Sequence, residues 1–121
     1  MRYMLLIYDE EAKVNTMTGP ERAAIHQEYG EFIDDIRKSG AFLAGDPLQR
    51  TSTATTVRGK NGKTITTDGP FAETKEQLGG YFVVEVESLD EAIEAAAGIP
   101  SARIGTIEVR PVVPARVGAP A

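Results

Sequence analysis

The stretch from Asp68 to Val86, DGPFAETKEQLGGYFVVEV, decides the fold because it joins a turn, a charged run and the strongest strand of the chain. The residues Asp68–Pro70 predict a turn, because glycine accepts positive φ, proline fixes φ and aspartate can bond to its own backbone. Alternating apolar residues predict a strand over Leu78–Val86. Gly79 and Gly80 stand at its start, where a backbone without side chains lets a ligand approach closely.

A helix is predicted before this stretch. Thr18 and Glu21 have the spacing of a capping box, and Gly40 is a natural stop after two basic residues. The apolar positions between them recur at helical spacing and predict one packed face, formed by Ile25, Tyr29, Phe32, Ile33 and Ile36.

A second helix is predicted directly after the strand. Ser88 and Glu91 have the spacing of another capping box, and Gly98 is the predicted stop. The apolar stripe of this helix is predicted to consist of Leu89, Ile93, Ala96 and Ala97.

Five further strands are predicted from apolar or threonine-rich runs. Asn61-Gly62 between two of these runs is a hairpin signal, and the polar character of this hairpin predicts a place at a sheet margin. In the last strand Ile107 and Val109 are predicted to point inward. The five runs are residues 2–8, 41–45, 53–58, 63–67 and 106–110.

The order of these elements predicts an α+β fold: a ferredoxin-like βαββαβ unit with an inserted hairpin, its two helices on one face of an antiparallel sheet. Residues 1–113 form the single predicted domain, and the Pro-rich residues 114–121 are predicted to be a flexible tail. The other face of the sheet carries Tyr81 and Val83 beside charged residues. A second copy of the chain is predicted to cover it, giving a homodimer.

Composition narrows the classes of function. The 121 residues include no cysteine, which excludes disulfides and thiolate chemistry and fits a cytoplasmic protein. The net charge of −5 and the lack of a basic stripe argue against nucleic acid as a partner. The N-terminal apolar run ends in acidic residues and predicts a strand, not a signal peptide, and no run is long enough to span a membrane.

His26 and Asp68 are the candidate catalytic residues. An imidazole can act as a base or an acid near neutral pH, and a carboxylate can orient it. Each also has a structural interpretation: His26 as a helix-boundary residue bonded to a carbonyl, and Asp68 as the first residue of an Asx turn. One histidine with scattered carboxylates has no metal-ligand spacing, and no nucleotide-binding motif is present, so neither a metal nor another cofactor is predicted.

Several motifs resemble those of the DGPF proteins within the YCII-related family, over a span from Tyr3 to Pro111. The resemblance implies a dimeric α/β barrel with a site built from a histidine and an aspartate, which map onto His26 and Asp68. Some relatives look like small-molecule lyases or dehydrohalogenases, and some DGPF genes accompany sigma factors. The matching positions are His26, Gly40, Ala44–Leu48, Asp68–Phe71, Lys75–Glu76, Leu78–Tyr81 and Ser88–Ala92.

Three hypotheses about function remain open from the sequence. The first is cofactor-free proton transfer, such as elimination or isomerisation of a small organic acid, with Arg110 as an anchor for the acidic group. The second is a ligand-binding or regulatory module that needs no base, and the third is a structural dimer without a ligand. The predicted substrate-binding residues are Gly45, Phe71, Glu73, Tyr81 and Arg110.

Overall fold

The computed structural model describes residues 1–114 of the chain. The predicted tail, apart from its first residue, lies outside the described residues. Three helices are present in this part: α1 (Glu11–Val14), α2 (Gly19–Lys38) and α3 (Leu89–Ala97). The strands are β1 (Arg2–Asp9), β2 (Phe42–Pro47), β3 (Thr55–Lys60), β4 (Lys63–Asp68), β5 (Gln77–Glu85) and β6 (Thr106–Pro111).

Four of the strands form one antiparallel sheet in the order β2-β5-β1-β6. This is the strand order of a βαββαβ unit, with β1 and β5 at the centre. The predicted antiparallel α+β architecture is therefore confirmed. Strand β1 alternates in burial, so that Tyr3, Leu5 and Ile7 face the helices and the residues between them face the other side.

The hydrophobic core lies between the sheet and both long helices. Leu5 and Val84 of the central strands are fully buried, and Phe32 and Ile36 of α2 pack into the same cluster with Ala92 and Ala96 of α3. The two helices therefore cover one face of the sheet, as predicted. The ring of Phe82 is packed edge-on against the rings of Phe32 and Phe42 at the centre of this cluster.

Helix α2 begins as its sequence predicts. The Thr18 hydroxyl accepts a hydrogen bond from the Glu21 amide, and the Glu21 carboxylate accepts one from the Thr18 amide. These bonds lower the pKa of the Glu21 carboxyl. The helix ends at Lys38, and Gly40 adopts a positive φ of 81° just beyond it.

Helix α3 differs from its prediction in two details. Ser88 accepts a hydrogen bond from the Glu91 amide, but the Glu91 carboxylate bonds to the Glu87 amide, so the capping box is not reciprocal. The buried stripe consists of Ala92 and Ala96, because these small side chains let the helix lie close to the sheet. The larger Leu89 and Ile93, predicted to be in the stripe, are each 50% exposed, and Ala97 is exposed as well.

Strands β3 and β4 pair only with each other and form a separate two-stranded sheet, not a margin of the main one. Asn61 and Gly62 adopt positive φ at its turn, as the sequence predicts. All residues of β4 are exposed, so this hairpin adds almost nothing to the core.

The face of the sheet opposite the helices remains partly apolar. Tyr81 and Val83 are half-buried within one protomer, and Glu108 and Arg110 lie on the same face. Among residues 1–114, no helix combines the length and apolar character needed to cross a bilayer. The homodimer and the cytoplasmic location stay predictions.

Candidate functional site

A cavity of about 390 Å³ lies between helix α2 and the helix-facing side of the sheet. This volume is within the range of small-molecule sites, about 300–1,000 Å³. Its wall is mostly apolar, and the apolar members come from β1, the segment before α2, α2 itself and β5. They include Ile7, Val14, Met17, Ile25, Ile33 and Phe82.

Asp9 places a carboxylate in this apolar wall. It follows the inward-facing Ile7 by two residues on β1, so strand alternation turns its side chain toward the cavity. Burial raises the pKa of the Asp9 carboxyl, and the charges of Glu11 and Glu76 raise it further. No hydrogen bond to this carboxylate is formed by the residues that the structure describes. Asp9 is therefore suited to hold or accept a proton.

Tyr29 and Ser101 form a polar pair in the same wall. Their hydroxyl oxygens are 2.5 Å apart, which joins α2 to the turn that follows α3. Burial raises the pKa of the Tyr29 phenol, and the negative charge of Asp9 raises it further. The phenol therefore stays protonated and can donate a hydrogen bond.

His26 reaches the cavity from the first half of α2. Together with Arg22, Tyr29 and Ile33 it forms a stripe at three- and four-residue spacing along one side of the helix. His26 is exposed at the edge of the cavity, so its imidazole is open both to solvent and to a ligand. A carboxylate and an imidazole thus line one cavity from two facing elements.

Two glycines shape the strand side of the cavity. A Cβ atom on Gly45 would lie 2.4 Å from Cδ1 of Phe82, so only glycine lets β2 pack against that ring. Gly79 interrupts the pairing of β5 with β1: Ile7 pairs with Gly80, whereas Tyr8 pairs with Leu78. Such bulges often occur next to functional sites, and this one lies beside the Asp9 carboxylate.

Three of the seven predicted site residues line this cavity. They are His26, Gly45 and Tyr81. Strand alternation places the Tyr81 side chain on the opposite face of the sheet, so Tyr81 borders the cavity from its place in β5 without pointing its ring into it. The Tyr81 hydroxyl donates a hydrogen bond of 2.8 Å to the Asp46 carboxylate, which raises the pKa of the phenol.

The other predicted residues lie elsewhere in the protomer. Asp68 ends the exposed strand β4, and no hydrogen bond or ion pair joins it to His26 within residues 1–114. The Phe71 side chain is 79% exposed, and Glu73 is exposed in the same loop. None of these three residues lines the cavity.

Arg110 is on the opposite face of the sheet from the cavity. Its guanidinium forms an ion pair of 2.8 Å with Glu108, which also accepts a hydrogen bond from the Tyr8 hydroxyl. The pair lowers the pKa of the Glu108 carboxyl. Among the described residues, no cluster of three or more His, Cys, Asp or Glu side chains is arranged to hold a metal ion.

Asp9, Tyr29 and Ser101 are site residues that the sequence prediction missed. The sequence does contain a signal for Asp9. Tyr3, Leu5 and Ile7 are the inward-facing residues of the first strand, and the same alternation makes residue 9 the next inward position. The apolar run alone predicts a strand that ends at residue 8, one residue before Asp9. Ser101 has no such signal, because its burial depends on how the turn after α3 docks.

The fold and cavity define the class of this protein: a small antiparallel α+β domain with an apolar cavity between its long helix and its sheet. The chain belongs to the YCII-related domain family, whose model matches residues 1–116. It is 34% identical over 114 residues to the uncharacterised protein R00369 of Rhizobium meliloti (strain 1021), with 93% of this chain and 92% of that protein covered.

A solved structure has the same fold. It is the 5-chloro-2-hydroxyhydroquinone dehydrochlorinase TftG from Burkholderia phenoliruptrix AC1100, in complex with 2,5-dihydroxybenzoquinone. The TM-score is 0.57 at 13% identity, with 99% of this chain and 100% of that chain covered. At this identity the similarity concerns the fold alone.

Proposed function

We propose that this protein is a cofactor-free acid–base enzyme that acts on a small organic molecule held between α2 and the sheet. The observation that carries the proposal is that Asp9 and His26 both line one apolar cavity. Burial raises the pKa of the Asp9 carboxyl, and a carboxylate of raised pKa is a stronger proton acceptor than an ordinary one. The dehydrochlorinase activity of TftG supports elimination as the reaction type.

In this proposal Asp9 removes a proton from the bound molecule, and His26, at the edge of the cavity, exchanges that proton with solvent. With the Ser101 hydroxyl donating to the Tyr29 oxygen, the Tyr29 hydroxyl donates its own proton to an oxygen of the ligand, which stabilises negative charge as it develops. In an elimination the proton and a leaving group such as chloride depart together. In an isomerisation the same proton returns at another carbon.

Asp68 is the competing partner for His26. It is supported by the resemblance to the DGPF proteins and by its place in the DGPF turn. Since Asp68 does not line the cavity of its own protomer, this version requires a second protomer to bring it there. The two versions differ in which carboxylate the reaction needs.

A substrate screen with three variants tests the proposal. The protein is incubated in D2O with chlorinated hydroquinones and with small keto acids. The release of chloride and the incorporation of deuterium are followed by NMR. We expect Asp9→Asn and His26→Asn to lower the rate by about 10²–10⁴-fold, the usual contribution of a general acid or base. Asp68→Asn should retain the rate. Loss in Asp68→Asn with retention in Asp9→Asn would favour the competing version.

A ligand-binding module is the second candidate function. It is favoured by the exposure of His26, which no described side chain orients through a hydrogen bond. Such a module would bind its ligand in the same cavity and would show no turnover with any compound of the screen. Asp9→Asn would then change affinity alone.

We also propose that two copies pair through the outer face of the sheet. Leu6, Tyr81 and Val83 on this face are only half-buried in one protomer. A stable pair should bury at least about 1,000 Å² in total. Sedimentation at tens of micromolar should show a dimer for the wild type and a monomer for Val83→Asp, with Val57→Asp on the hairpin as control. A monomeric wild type would contradict this pairing.

A further inference from the structure

A second, smaller depression of about 200 Å³ adjoins the cavity. The two spaces share four lining residues, Asp9, Val14, Arg22 and Gly79, so they lie side by side. We call the smaller space the vestibule. Its remaining lining comes from α1 with the residue after it and from the segment after β2: Glu11, Asn15, Leu48, Gln49 and Arg50.

Two arginines, Arg22 and Arg50, line the vestibule beside the carboxylates of Asp9 and Glu11. The Arg22 guanidinium donates hydrogen bonds to the carbonyls of Val14 and Met17, at 2.9 and 3.4 Å, and both of these acceptors are neutral. Within residues 1–114 neither Arg22 nor Arg50 forms an ion pair. Both guanidinium groups therefore keep their charge unpaired by a carboxylate, and Arg22 has further N–H donors beyond the two that bond to these carbonyls.

The two carboxylates of the vestibule leave the guanidinium groups free of ion pairs. Both oxygens of Glu11 accept hydrogen bonds from Thr51, one from its amide at 2.8 Å and one from its hydroxyl at 3.0 Å. Asp9 is half-buried at the boundary with the apolar cavity and forms no ion pair with either arginine. An entering anion would therefore meet guanidinium groups that no carboxylate within residues 1–114 already pairs with.

We infer that the vestibule binds the anionic group of the ligand while the apolar cavity holds its body. The ligand class is then a small amphipathic anion, such as an aromatic or alkyl carboxylate or sulfonate. Arg50 is the recognising residue, and Arg22 both contacts the anion and fixes the 14–17 segment that walls the cavity. This inference rests on the proposed function, because it assigns the polar end of the same ligand site.

A pair of fluorescent probes that differ in charge tests this inference. The anion 8-anilinonaphthalene-1-sulfonate and the neutral N-phenyl-1-naphthylamine share one apolar body. Titrations compare the wild type with Arg50→Gln, with Arg50→Lys and with Arg58→Gln, which removes an arginine from β3 outside both spaces. Arg22 is left unchanged, since its loss would also release the 14–17 segment.

We expect Arg50→Gln to weaken binding of the anion at least about tenfold, the effect of losing one charge-assisted hydrogen bond. Arg50→Lys should restore most of the affinity, and Arg58→Gln should have none of this effect. The neutral probe should bind all four proteins equally. If the neutral probe binds but the affinity for the anion does not depend on Arg50, the vestibule inference is wrong. The apolar cavity would still be a ligand site in that case. If neither probe binds saturably, both proposals fail.

Discussion

The apolar cavity and the DGPF loop are the two regions where candidate site residues occur, and they differ in enclosure. Asp9, Tyr29 and Ser101 lie in a wall where burial changes the pKa of two of them. The loop from Gly69 to Glu76 is exposed along nearly its whole length. Its contacts beyond neighbouring residues include a long ion pair of 3.9 Å between Lys75 and Glu10.

The residue types in these two regions are determined by different physical requirements. The residue types of Asp68–Pro70 are required by the backbone of a tight turn, where Gly69 adopts a φ of 95°. The residues of the cavity are required by packing and by strand register, and they form no recognisable motif. The most recognisable stretch of a chain can thus be distinct from the place where a ligand is enclosed.

The largest expected effect is on stability, and it compares an enclosed valine in the core with an exposed valine on the β3–β4 hairpin. Val84 is fully buried between sheet and helices, whereas Val57 on the hairpin is 61% exposed. Val84→Ala should lower the free energy of unfolding by about 2 kcal/mol, through lost burial and the cavity it leaves. Val57→Ala should stay within about 0.5 kcal/mol. Equal losses in urea denaturation would show that the hairpin is packed against something in solution.

The next effect compares two tyrosine hydroxyls. Tyr29 bonds to Ser101, a serine that is 5% exposed, whereas Tyr81 bonds to the exposed Asp46. Tyr29→Phe should cost about 1 kcal/mol or more, because the buried Ser101 hydroxyl loses its partner. Tyr81→Phe should cost less, since water replaces the lost bond. Thermal unfolding of the two variants measures the difference, and a larger loss in Tyr81→Phe would contradict this account of the cavity wall.

The smallest effect concerns the dependence of stability on pH. A carboxyl with a raised pKa binds its proton more tightly in the folded state. Stability therefore falls as pH rises from the ordinary carboxyl pKa to the raised one. Asp9→Asn removes this loss, so it should melt a few degrees above the wild type at pH 7 and without that advantage below about pH 4.

Asp68→Asn is the matched control for the loss of one negative charge. It should not reproduce the pH-dependent gain in melting temperature of Asp9→Asn. A wild type whose advantage over Asp9→Asn grows toward pH 7 would show that Asp9 is stabilised as a carboxylate, which contradicts the half-buried position described above.

Most of the fold could be predicted from local signals. The capping box at Thr18, the alternation in β1 and the Asn61-Gly62 turn each act over a few residues, and each is present in the structure. Helix α3 shows the limit of such signals. The Glu91 carboxylate accepts a hydrogen bond from the Glu87 amide and not from the Ser88 amide, and the buried stripe consists of Ala92 and Ala96 because close packing on the sheet favours small residues.

The site was harder to predict than the fold because its members come from distant parts of the chain. His26 and Gly45 were predicted and line the cavity, but their partners across it depend on how α2 and the turn after α3 dock on the sheet. Asp9 was available from the strand register. Ser101 became a site residue only through tertiary packing against Tyr29.

We propose that ligands bind between α2 and the sheet and not on the DGPF loop. Amide chemical-shift mapping of the 15N-labelled protein during titration with 8-anilinonaphthalene-1-sulfonate distinguishes the two places. We expect saturable shifts at cavity amides, including Asp9, Gly79, Gly80, Ser101 and Ile104. Amides of Gly69, Phe71 and Glu73 should remain unchanged. Saturable shifts confined to that loop, with the cavity amides unmoved, would contradict the claim.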